Sequence, residues 1–283
     1  MHSCITSLAA LLFFNQPVAS YQHLTVLEFL NEKNLKPGDA LIFKLANQNE
    51  QGIHVEFEGS EVPLFKYRDH MRGIIPLSPK MRSGGHSLAI QREGQEKIFK
   101  EFHLEERRAK IILLPVPQNL FQTPRELVRN LAKQQAVIAE TIKDTNPNPL
   151  FSKPFGLPLS DNRRVSSLYG EIRKTGNESI RHVGVDFAEI GGTLVYAIND
   201  GRIARTYTDP IYGKTVIVDH GAGISSLYMH LNEIKIREGV FAPQGKVLGT
   251  VGTSGYSSAR HLHLSLKIRG QSVDPLQFVK TWR

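Results

Sequence analysis

Residues 261–268 read His-Leu-His-Leu-Ser-Leu-Lys-Ile, and how this stretch is read decides the fold. As a β-strand it sends alternate side chains to opposite faces. His261 and His263 then share one face, about 6.6 Å apart at ~3.3 Å rise per residue. That separation suits one histidine on a metal ion and the other facing a substrate or a metal-bound water. Two more stretches of the same half carry similar residues: His182-Val183-Gly184-Val185-Asp186 and Tyr228-Met229-His230-Leu231. Histidine nitrogen and aspartate oxygen are ordinary zinc ligands, and a catalytic zinc site usually has three protein ligands and one open position. In a straight strand His182 and Asp186 would stand ~13 Å apart, too far to share an ion. A helix would bring them together, but Val183, Gly184 and Val185 are poor helix formers. A bend is therefore expected at Gly184.

Each motif alone has an ordinary explanation. Two histidines at i and i+2 are often just polar residues on a solvent face, and a histidine within Leu-Tyr-Met-His-Leu is by default half-buried and hydrogen-bonded. Their occurrence together in one glycine-punctuated half outweighs those readings. Around them the chain reads as β almost throughout. Thr193–Ile198 and Arg202–Tyr207 are expected to pair as a hairpin across Asp200-Gly201. Lys214–Asp219, Ser225–His230 and Lys246–Val251 are expected as further strands.

The preceding region, Tyr21 to Gln118, is also strand-like. Ala40–Leu45 is a short apolar run, and Ile53, Val55 and Phe57 alternate with polar residues, the signature of a half-buried strand. Ser87–Ile90 and Lys110–Leu114 complete what reads as a small antiparallel sandwich. Its histidines, His54, His70, His86 and His103, are scattered among charged neighbours and read as exposed or locally bonded. A helix then opens with Thr123 as N-cap, Pro124 in the first helical position and Glu126 three residues after the cap. Leu127, Leu131, Ile138 and Ile142 form its apolar face, interrupted by Gln134 and Gln135, and Asn146-Pro147-Asn148-Pro149 stops it.

At the amino terminus Ile5–Phe14 is apolar but, at ten residues, half the ~20 needed to span a bilayer. Followed by Val18-Ala19-Ser20, it reads as a secretory leader, although no Lys or Arg precedes it. Cleavage there would remove Cys4, the only cysteine, so neither a disulfide framework nor a thiolate zinc cluster is available. The 283 residues suit two domains of roughly 100–200 residues each. With 40% hydrophobic and 22% charged residues, wholesale disorder is excluded. Residues 1–150 carry net +2 and residues 151–283 net +6, so an anionic partner is expected for the second half. Without a basic run or basic-aromatic interleaving, nucleic acid is the weaker choice.

Several segments together are similar to a known family. Tyr169-Gly170-Glu171-Ile172-Arg173, HVGVDFA from His182, GKTVIVDHGAG from Gly213, SSLYMHL from Ser225, GKVLGTVGTSGYSSARHLHLSL from Gly245 and Val273-Asp274-Pro275 resemble the lysostaphin/LytM-type zinc peptidases, peptidase family M23. The likeness runs from about Phe155 to Phe278. It implies an antiparallel peptidase domain over 151–283, and with the readings above the chain is expected to be mainly β: a leader over 1–20, a β-sandwich-like module over 21–118, one helical connector over 119–150 and that domain. It also implies one Zn2+ per chain held by His182, Asp186 and His263, with His230 and His261 as non-ligand histidines that assist catalysis. His220 lies in a family-typical segment but reads as a structural turn residue. Arg260 stands where the family usually has proline, and Ser258-Ala259 replace Thr-Gly at the cleft border. The implied substrate is the peptide cross-link of peptidoglycan. The D-alanyl–diaminopimelate bond is favoured, because a short leader without wall-targeting repeats resembles an exported enzyme of the periplasm or cell envelope. Competing readings are an inactive scaffold that activates other wall hydrolases, and a secreted peptidase acting on protein.

Overall fold

The computed structural model describes residues 27–45, 52–114, 123–160 and 164–282; the expected leader and Cys4 lie outside them. In the amino-terminal half, strands Leu27–Phe29, Ala40–Leu45, His70–Pro76 and Leu64–Tyr67 form one antiparallel sheet. Ser60–Glu61, Ile53–Phe57, Gly84–Arg92 and Ile98–Leu104 form a second. The two enclose a core of Leu41, Phe43, Leu45, Val55, Leu88 and Leu104 among others. Residues 53–57 alternate because one face is open to solvent, with His54 exposed. Ala40–Leu45 is continuously apolar because both its faces are covered. Leu41 and Phe43 face the sandwich core, whereas Ala40 and Ile42 join a second core with Phe151, Phe155, Phe278 and Trp282 from the other half. Trp282 stands 5.3 Å from Tyr67 and 5.7 Å from Phe155, ring centroid to centroid. The two halves therefore share apolar packing, not just a tether.

The carboxy-terminal half is a ten-stranded sheet whose main path runs Arg164–Ser167, Val185–Ala188, His261–Ile268, Ile224–Ile234, Gly213–Gly221, Gly201–Asp209 and Phe241–Ala242. The expected hairpin across Asp200-Gly201 does not form. Leu194–Tyr196 pairs instead with Val247–Val251, while Gly201–Asp209 pairs with Gly213–Gly221. The side chain of Asp200 takes the amide of Gln244, tying the loop to a distant segment and leaving the two strands apart. The real hairpin turns at Asp209, whose carboxylate accepts from the amides of Ile211 and Tyr212. Ile111–Leu113, expected to close the amino-terminal sandwich, pairs in parallel with Ile172–Thr175 of the second half.

The helix Pro124–Thr141 begins as expected, with Thr123 Oγ1 accepting from Glu126 N at 3.1 Å. Leu127, Ile138 and Ile142 pack on Ile217, Leu227 and Met229, covering part of the sheet face that carries His263. Gln135 interrupts the apolar face because it bridges: its Nε2 donates to Tyr212 OH at 2.6 Å, and its Oε1 accepts from Lys267 Nζ at 3.2 Å. A second helix, Pro275–Thr281, was not expected, although Asp274-Pro275 signals it by the same N-cap and first-position proline logic.

Candidate metal centre

Sheet register assembles the site. On adjacent strands Asp186 lies opposite His263, and Met229 lies opposite His263 on its other flank. Directly opposite residues bring their side chains within ~5 Å, so Asp186 and His263 must meet. His182 arrives through the bend at Gly184, between strands Glu178–Arg181 and Val185–Ala188, as the sequence requires. Gly184 is needed for closeness and not for a special backbone angle. A Cβ there would lie 2.4 Å from His263 Nε2 and 2.6 Å from Leu264 O.

The convergence is tight. His182 Nε2 is 3.1 Å from Asp186 Oδ1 and 3.0 Å from His263 Nδ1, and His263 Nδ1 is 2.7 Å from Asp186 Oδ1. All three residues are buried. His182 Nδ1 is 2.8 Å from the carbonyl of Leu168, which can only accept, so the ring proton sits there. In the neutral ring Nε2 is then a bare lone pair aimed at a carboxylate oxygen. Held by protons, the three residues form a hydrogen-bonded group; without them, they present three donor atoms to one point. Two imidazoles with one carboxylate are a common zinc donor set.

Electrostatics hold the donors ready. Burial pushes the Asp186 carboxyl up, but hydrogen bonds and charge from His182 and His263 outweigh it, and the group lies well below the usual carboxylate range. Burial lowers His263 to about 4, against the pull of Asp186. Arg173 reaches Asp186 Oδ2 and Ser167 Oγ, and Ser167 donates to the buried Glu171. Such an outer layer fixes the orientation of ligands. The resemblance had pointed to the Tyr169–Arg173 segment without assigning Arg173 a role.

His261 and His230 complete the group. His261 Nε2 is 3.7 Å from Asp186 Oδ1, and its Nδ1 faces the carbonyl of Ala259 at 2.8 Å. His230 Nδ1 faces the carbonyl of Ser254 at 2.8 Å, and its ring centroid is 4.7 Å from that of His261. In a regular strand His230 would point away from the face shared by Met229 and His263. A register shift beside it and a φ of +61° turn it back. Burial first, then His261 and His263, lower His230 to about 3, so it is neutral at physiological pH.

His220 is elsewhere. It lies in strand Gly213–Gly221, not in a turn, and is fully satisfied by Asp200 O and Ser226 Oγ, both at 2.8 Å. His54, His70, His86 and His103 all lie in the strands of the amino-terminal sandwich.

Comparison with known proteins finds likenesses over the same half of the chain. Residues 180–275 match the model of Peptidase family M23. Over 122 residues, 42% of this chain, the sequence is 30% identical to peptidoglycan DD-endopeptidase ShyA of Vibrio cholerae, covering 28% of that protein. Over 95 residues, 34% of this chain, it is 39% identical to DD-carboxypeptidase/endopeptidase Mpg of Neisseria meningitidis, covering 22% of it. The matched segment thus spans about a quarter of the length of these curated relatives. An M23 peptidase crystal structure from Pseudomonas aeruginosa has the same fold over 89% of this chain and 97% of its own, with TM-score 0.59 and 24% identity. Within this chain the match to Peptidase family M23 is thus the segment 180–275, which carries His182, Asp186, His230, His261 and His263.

Proposed function

We propose that this chain is a zinc-dependent endopeptidase that hydrolyses peptide cross-links of peptidoglycan, acting on the D-alanyl–diaminopimelate bond. The observation that carries the reading is the convergence of His182 Nε2, Asp186 Oδ1 and His263 Nδ1 within 3.1 Å of one another, all on buried residues. His182, Asp186 and His263 are the proposed ligands of one Zn2+. When bound, the ion supplies Lewis-acid polarisation of a carbonyl and lowers the pKa of a water toward ~7. His230 and His261 are the proposed catalytic histidines. Each directs Nδ1 at a backbone carbonyl, so each neutral ring keeps its basic lone pair on Nε2, the atom that takes and returns a proton. The carbonyls of Ser254 and Ala259 fix those tautomers, as Leu168 fixes that of His182. Leu131 of the helix Pro124–Thr141 and Tyr212 line the apolar side of a pocket that also holds His182, His230 and His263.

Relatives named for peptidoglycan endopeptidase activity support the substrate, and net +6 on residues 151–283 suits an anionic wall polymer. The proposed organisation is a leader over 1–20, a β-rich module over 21–118, a helical linker over 119–150 and the peptidase domain over 151–283, in an exported protein of the periplasm or cell envelope. Among the described residues no helix is long and apolar enough to cross a membrane. A second reading, a non-catalytic activator of wall hydrolases, draws on 31% identity over 145 residues to murein hydrolase activator NlpD of Salmonella dublin. The complete His/Asp/His set weighs against it. Purified protein incubated with purified sacculi separates the two readings. Release of soluble peptides that stops with chelator and returns with zinc is the expected result. A zinc-loaded protein that releases nothing overturns the enzyme reading.

A further inference from the structure

The cleft beside the metal cluster opens into a cavity of about 370 Å³ lined by Ser166, Arg173, Asp186, Tyr256, Arg260 and His261 among others. Its charges are unbalanced. Among the described residues Asp186 is the one carboxylate on its wall, and Arg173 is already bonded to it. Arg260, on the same wall, is exposed and makes no ion pair with any described residue. An exposed arginine is normally free to sweep through solvent, but this one has a seat. Its chain lies so close over Gly191 that a Cβ there would be 2.8 Å from both Cδ and Nε. The missing side chain at 191 lets the guanidinium lie down at the rim. Seating an arginine lowers the rotamer entropy lost on binding, and its planar fork matches a carboxylate.

We propose that Arg260, laid across Gly191, is a carboxylate-binding residue of this cleft and takes the free carboxylate that the peptide substrate carries next to the scissile bond. The inference rests on the peptidase reading above. A seated cation with no counter-ion among the described residues, in the same cavity as His261 and Asp186, selects an anionic group close to the reacting bond. Arg173 adds positive potential from the same wall. In a diaminopimelate cross-link the group so placed is the carboxylate on the carbon bearing the cross-linked nitrogen.

The test uses the zinc-loaded full chain and two cross-linked peptides, identical except that this diaminopimelate carboxylate is free in one and a carboxamide in the other. Wild type is expected to prefer the free carboxylate by about tenfold in kcat/KM, the size of a charge-assisted hydrogen bond at a partly desolvated site. Arg260→Ala should collapse that preference to near unity through KM, with zinc content unchanged. Arg260→Lys should keep part of it. Gly191→Ala, at a backbone angle open to any residue, should weaken the preference by unseating a retained arginine. Equal cleavage of both peptides by wild type overturns the proposal, as does an Arg260→Ala variant that slows both by the same factor. A zinc-loaded wild type that cuts neither peptide overturns the peptidase reading, and this inference with it.

Discussion

Both halves of the molecule are antiparallel β with dense apolar cores, yet they treat their histidines in opposite ways. In the amino-terminal sandwich His54 is exposed beside Glu61, and His86 contacts the carbonyl of Arg82 and stacks on Phe102. In the carboxy-terminal sheet His182, His220, His230 and His263 are all buried. Burial removes water as a partner, so every ring nitrogen there needs another one. His220 finds two in Asp200 and Ser226 and needs no ligand. His182 and His263 instead converge with Asp186, their ring nitrogens and one carboxylate oxygen lying within 3.1 Å of one another. What separates His220 from these proposed ligands is which atoms its ring nitrogens meet, more than depth.

The largest expected effect would break that contrast most directly. His263→Ala and His182→Ala should each lose bound zinc on metal analysis and lower hydrolysis at least about a thousandfold, because an open coordination position is of no use without the ion. His261→Ala should keep its zinc and lose turnover by about 10²–10⁴, the usual weight of general acid–base catalysis. His86→Ala should change neither quantity. Zinc loss in the His261 variant would contradict the division between ligands and catalytic histidines.

Next in size is the apolar packing that joins the halves. Trp282 touches Phe65 and Tyr67 on one side and Phe155 and Phe278 on the other. Trp282→Ala should therefore cost about 3–5 kcal/mol in thermal or denaturant unfolding. The two halves should lose stability together. If only the carboxy-terminal transition moved, the shared core would be energetically two.

The third effect sharpens the distinction between His220 and the metal group. Burial lowers His220 to about 4 in the fold, from 6.5. The unfolded chain therefore binds more protons in this window, and stability present above pH 6.5 is lost as pH falls toward 4. The loss amounts to on the order of 3 kcal/mol. His220→Gln should be less stable at neutral pH but flatter across that window, as read by denaturant midpoints at stepped pH. His263 and His230, also lowered by burial, keep part of the acid limb, so a variant as steep as wild type would show that His220 adds nothing to it.

Much of this was legible in the chain. The helix Pro124–Thr141 starts where Thr123 and Pro124 say it must, because capping is a local affair. His261–Ile268 and Ala40–Leu45 have the bounds their residues suggest. The bend at Gly184 was expected on the supposition that His182 and Asp186 act together, since a straight strand would hold them ~13 Å apart. Errors arose where partners lie far apart in sequence. Asp200-Gly201 is a strong turn signal, but nothing near it says that Leu194–Tyr196 prefers Val247–Val251. Ile111–Leu113 reads as any short strand, and only parallel pairing with Ile172–Thr175 assigns it to the second half.

By itself the sequence determined which side chains could do chemistry and on what period they recur, because strand alternation and helix capping act over a few residues. The tertiary structure alone decided three further matters. It turned His230 toward His261 through a left-handed backbone and a slipped register, and it brought His182 Nε2 to 3.1 Å from Asp186 Oδ1. It also laid Arg260 across Gly191. Each of these depends on contacts between strands or loops brought together only by folding, where register and close approach, not residue type, set which atoms meet.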